Sequence, residues 1–114
     1  MPMLYTRILE GATIADGDEM DLASALDVGE ARELEIILTV VEAGDGDNPK
    51  LVVRHAPINA EDSYLDFETT VEIELTATGR VWFHVDKFTR WLGWFTSGTI
   101  TSGAVVTLEV LAKG

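Results

Sequence analysis

With 114 residues, 46% of them hydrophobic, and no cysteine, the chain has the size of one domain and enough apolar material for a core without disulfides or thiolate-bound metal. Its net charge of −12 argues against nucleic acid and against an anionic membrane surface, since both require clustered Lys and Arg. Such acidity serves solubility, or attachment to a basic protein surface.

Met1 to Arg7 lacks a basic segment followed by a long apolar run, so no signal peptide is expected and synthesis in the cytosol is. Charges interrupt every apolar run before it reaches the length of a membrane span. Residues 4–9 are predicted as a first strand, ended by Gly11, and residues 16–21 as a solvated acidic loop. Residues 22–28 fit either a strand or a single helical turn.

Residues 32–42 form the strongest strand pattern of the first half. Leu34, Ile36, Leu38 and Val40 share one face, while Glu33, Glu35, Ile37, Thr39 and Val41 share the other. That second face begins acidic and becomes apolar, which predicts cover by a loop or a neighbouring subunit. Residues 44–49, rich in Gly, Asp and Asn, are predicted as a hairpin turn, with residues 51–55 as the return strand. A polar connection over 57–63 precedes a short strand at 64–67.

Strands are then expected near 70–76, 79–86, 88–96 and 104–112, punctuated by Thr78-Gly79, Ser97-Gly98 and Ser102-Gly103. Only residues 23–34 approach a helical period. The expected fold is all-β: one antiparallel β-sandwich or jelly-roll-like domain over residues 1–114, with 1–28 a less constrained N-terminal strand or arm.

Asp45, Asp47 and Asn48 superficially suggest a calcium loop. The downstream carboxylate that would close a shell of six to eight oxygens is missing, so a hairpin turn accounts for them better. Asp16, Asp18, Glu19 and Asp21 form a second acidic cluster with the same weakness. His55 and His84 are the only histidines, and a zinc site would need a carboxylate from elsewhere as third ligand. No serine has a nucleophile-elbow setting, and Glu72 and Glu74 read as ordinary outward residues rather than a hydrolytic pair. No enzyme, metal or cofactor is expected.

All three tryptophans fall between residues 82 and 94. Phe88, Arg90, Leu92 and Trp94 alternate with Thr89, Trp91, Gly93 and Phe95, so both faces of that segment carry large apolar groups. Either it is a central strand with both faces covered, or Trp82, Trp91 or Trp94 is exposed at a subunit interface or a sugar-stacking platform. Trp82, Trp91, Trp94, Phe95, Ile37 and Val41 are the candidate interface residues. Oligomerisation is favoured, and a carbohydrate-binding module using exposed tryptophans is the alternative.

The strand Leu34-Glu-Ile-Ile-Leu-Thr-Val-Val-Glu42, the segment Pro49-Lys-Leu-Val-Val-Arg-His55, the aromatic run Thr89-Arg-Trp-Leu-Gly-Trp-Phe-Thr-Ser-Gly98 and the closing Gly103-Ala-Val-Val-Thr-Leu-Glu-Val110 come in an order that resembles small β-sandwich proteins of tailed phages, prophages and phage-like particles. The resemblance runs from Leu34 onward and leaves residues 1–28 unconstrained. It implies a capsid-decorating or accessory protein, made in a bacterial cytoplasm and residing on a virion or shell surface. Its partners would be a major capsid or other shell protein and further copies of itself, as trimers or other symmetric oligomers.

Overall fold

The structure, a computed structural model, describes residues 3–114; Met1 and Pro2, and with them the expected start of the chain, lie outside the described residues. The described residues form eight strands: β1 (Leu4–Ile14), β2 (Leu26–Asp27), β3 (Glu33–Glu42), β4 (Asp45–Ala56), β5 (Val71–Glu74), β6 (Gly79–Val85), β7 (Trp91–Ser102) and β8 (Ala104–Lys113). Two single 3-10 turns, Leu22–Ser24 and Glu61–Ser63, interrupt the connections.

The strands form two four-stranded sheets, ordered β1-β8-β3-β6 and β2-β7-β4-β5. The pairs β1·β8, β2·β7, β3·β6 and β4·β5 are all antiparallel. The chain is thus one long hairpin, folded back between β4 and β5 and rolled so that β8 also meets β3 and β7 also meets β4. This is a jelly roll, the architecture expected from the spacing of strands and turns. Only the β4–β5 connection stays within a sheet; every other connection crosses the sandwich.

That crossing corrects the expected hairpin at residues 44–49. β3 and β4 do not pair, and Asp45, Asp47 and Asn48 belong to β4 rather than to a turn, with Asp45 opposite Ser102 and Asp47 opposite Thr99. The polar residues there do bend the backbone, but as a bulge: the register shifts between Asp47 and Lys50, where Asn48 takes a φ of 50°. Gly98 faces this bulge from β7 with φ 73°, and a Cβ on it would fall 2.1 Å from the Asn48 carbonyl oxygen. Ser97-Gly98 is therefore a kink within β7, not a turn.

Three other boundaries differ. β1 continues through Gly11 to Ile14 by absorbing two register shifts against β8. Residues 64–67 form no strand beyond a single bridge between Leu65 and His55. Residues 16–21 are not simply solvated: Met20 is buried, its amide donates to the Trp94 carbonyl, and the Thr96 hydroxyl donates to the Asp18 carbonyl. With Asp16 accepting from the Ile100 amide, this loop covers the part of β7 that two-residue β2 leaves unpaired, which protects the sheet edge.

The core lies between the sheets and follows the period-two pattern. Leu34, Ile36, Leu38 and Val40 meet Val106, Leu108 and Val110 on one inner face, and Leu51, Val53, Val71 and Leu92 form the other. Val81, Phe83 and Val85 of β6 pack at its margin, which turns the alternate residues of β6 outward.

Candidate functional site: the outer face of the β1-β8-β3-β6 sheet

Strand register assembles this face in rows. Arg7, Glu109, Ile37 and Trp82 lie side by side across β1, β8, β3 and β6. The neighbouring row is Tyr5, Leu111, Glu35 and His84, and a third brings Thr107, Thr39 and Arg80 together. Residues two apart on a strand share a face and directly opposed residues touch, so side chains distant in sequence become neighbours.

Two glutamates organise the face. Glu35 is only 9% exposed, and it accepts from the Trp82 indole N–H at 2.6 Å and from Lys113 Nζ at 3.2 Å, while His84 Nδ1 lies 2.7 Å away. Those contacts outweigh the opposing effect of burial. The hydrogen bond from His84 leads, Trp82 and Lys113 add to it, and the Glu35 carboxyl is lowered to about 2. Reciprocally, Glu35 raises the His84 pKa, with Glu33 and Asp86 contributing. Glu109 accepts from the Tyr5 hydroxyl and has the Arg7 and Arg80 guanidiniums at 3.9 and 3.6 Å. Arg7 also donates to the Tyr5 hydroxyl, and Arg80 to the Thr39 hydroxyl.

Trp82 stands at the centre of one edge, 66% exposed, with its N–H held by Glu35. A large apolar ring kept in water in one orientation is the arrangement expected of a docking anchor. Ile37 is half-buried directly beside it. Val41 is exposed near the end of β3, at the point where its register with β8 slips. These three share one strand pair.

The other candidates do not join them. Trp91 lies on the outer face of the opposite sheet, half-buried, with the Arg90 guanidinium 5.2 Å over its ring. Trp94 points inward and packs against the core. Phe95 is corrected outright: it is 8% exposed, with Tyr64 at 5.2 Å ring to ring and the Arg54 guanidinium over it. Residues from two distant loops cover this part of the sheet so closely that a Cβ on Gly93 would lie 2.7 Å from Met20 Cε and 2.9 Å from Tyr64 Cε1. β7 is thus a central strand with both faces covered.

This placement removes the geometry that the sugar-binding alternative requires. Trp82 lies on one sheet, and Trp91 and Trp94 lie on opposite faces of a strand of the other, so no two tryptophans form one stacking platform. Glu72 is paired with Lys50 at 3.2 Å, and Glu74 accepts from the Thr76 hydroxyl, as outward residues of an antiparallel sheet do. His55 belongs elsewhere: its Nδ1 accepts from the Thr89 amide, and it stacks on Phe67 at 4.7 Å.

What the linear sequence did not reveal is the Glu35–Trp82–His84 network. Its members are separated by 47 and 49 residues, and only the β3–β6 register brings them together. A signal was present in the shared outward parity of Glu35 on one strand and of Trp82 and His84 on another.

No protein-family model matches the chain, and no curated protein matches it. Among solved structures, the crystal structure of the SPBc2 prophage-derived protein YomS is similar over 96% of this chain and 93% of that one, with a TM-score of 0.55 and 14% sequence identity. At that identity the likeness is one of fold: this chain and a prophage-derived protein share a β-sandwich of the same extent.

Proposed function

We propose that the chain is a non-enzymatic structural component of a phage or phage-like particle, located on the shell as a symmetric oligomer joined through the outer face of the β1-β8-β3-β6 sheet. The observation that carries the reading is Trp82, exposed yet held by Glu35 within a face that also presents Tyr5, Arg7 and Arg80. Trp, Tyr and Arg are the residue types that dominate binding energy at protein interfaces, and holding them in place beforehand lowers the cost of ordering on association. The fold shared with a prophage-derived protein supports the phage setting.

Charge divides the surface into two roles. The chain carries −12 overall, but on this face Arg7, Arg80, Lys113 and His84 stand against Glu33, Glu35 and Glu109. Two copies meeting elsewhere would repel, whereas here the charges nearly balance, so the face suits a symmetric oligomer. The acidic remainder suits a basic rim on a major capsid or other shell protein. Repeated contacts across a symmetric shell would strengthen a weak individual attachment.

The reading is tested on particles purified from cells that carry the gene. The chain should copurify in fixed ratio to the shell protein, and Trp82→Ala should reduce its occupancy. Particles lacking the chain altogether would refute the proposal.

A further inference from the structure

The same sheet places three metal-binding side chains together. Glu33 and Glu35 are two residues apart on β3 and point outward, while His84 of β6 is directly opposite Glu35. Each offers one ligand atom, and these atoms lie within 4.8 Å of one another. Such convergence follows from sheet geometry: alternate residues share a face, and opposed residues on neighbouring strands are closer still. We propose that Glu33, Glu35 and His84 form a binding site for a zinc-like divalent cation, with water completing a four-coordinate shell.

The donor chemistry selects the ion class. One imidazole and two carboxylates match the nitrogen and oxygen ligands of zinc, and three protein ligands leave the fourth position open. Calcium would need six to eight oxygens, and magnesium would keep most of its water, so neither is favoured by an imidazole on a rigid sheet. The hydrogen bond between His84 and Glu35, 2.7 Å long, already lies along the line a bridging cation would occupy. A cation there replaces the shared proton, which leaves to solvent, and the ring moves outward by about 0.6 Å to admit two ligand bonds of about 2 Å at a tetrahedral angle. His84 has room to do so, being exposed, whereas Glu35 is held in place by the Trp82 N–H.

The surrounding charges are Asp86, just after β6, which adds negative potential, and Lys113 on β8, whose Nζ lies 3.2 Å from Glu35 Oε1 and opposes a cation there. Lys113 is also the register partner of Glu33, and its long side chain can turn away toward solvent. The proton on His84 is the stronger competitor, so affinity must rise with pH until the imidazole is neutral.

The site is independent of whether the face docks on a shell. Its test is calorimetric titration of the full chain with zinc sulfate at pH 7.5, followed in parallel by tryptophan fluorescence, because Trp82 bonds to a ligand. One equivalent should bind saturably, the Trp82 emission should change, and the affinity should fall about tenfold per pH unit once His84 is protonated. Glu35→Gln and His84→Ala should each weaken binding by about tenfold or more, while His55→Ala should not change it. Circular dichroism of each variant separates loss of the site from loss of the fold. Binding that His84→Ala leaves intact, or no saturable binding by the folded parent chain, would overturn the proposal.

Discussion

Glu35 is the residue on which the face turns. Its carboxylate is stabilised in the folded state, so its folded pKa, about 2, lies below the ordinary 4.5. The stability it contributes is fully present above the unfolded pKa and is lost as pH falls from about 4.5 toward 2. His84 has the opposite sign: its pKa is raised, so its contribution is present below its unfolded value, near 6.5, and is lost as pH rises through the folded one. Urea denaturation across pH should therefore show a step in the acid range that Glu35→Gln reduces. If Glu35→Gln followed the parent curve throughout, the network would contribute nothing to stability. Trp82 makes a separate prediction. Trp82→Ala should lower the unfolding midpoint modestly, since the ring is mostly in water but its N–H bond to the Glu35 carboxylate is lost, and should remove much of the fluorescence accessible to iodide quenching.

At the scale of elements, the inner faces were legible because burial imposes a period of two on β3 and β8. Leu38 and Leu108 are register partners and both are fully buried. Leu108→Ala should cost about 2–5 kcal/mol in chemical denaturation, through lost transfer energy and the cavity left behind. What alternation does not encode is which sheet receives the next strand. Thr78-Gly79 and Ser102-Gly103 mark changes of direction, yet both are crossings between sheets, and Ser97-Gly98 is a bulge. Phe95 escaped correct placement for a related reason, since its cover comes from Met20 and Tyr64, far away in the chain. The Gly98 bulge can be tested directly. Gly98→Ala places a Cβ against the Asn48 carbonyl in a left-handed backbone, so it should lower the unfolding midpoint clearly, whereas Gly79→Ala, where a Cβ meets nothing, should not. Equal effects at the two positions would count against the bulge.

For the whole molecule, the rolled hairpin accounts for the difference between the two outer faces. It covers the outer face of the β2-β7-β4-β5 sheet with two loops and leaves the outer face of the β1-β8-β3-β6 sheet uncovered, with Trp82 at its margin. The aromatic residues separate accordingly: Trp94 packs against the core, Phe95 lies on a covered face and Trp91 is half-buried beneath Arg90, which leaves Trp82 as the most exposed of the three tryptophans. Sedimentation equilibrium of the parent chain and of Trp82→Ala, over a wide concentration range, tests that claim most directly. The account predicts a concentration-dependent oligomer for the parent, with a dissociation constant raised about thirtyfold or more by Trp82→Ala, as expected for an anchor worth about 2 kcal/mol. A parent chain that stays monomeric at the highest concentrations, or an oligomer indifferent to the loss of Trp82, would contradict it.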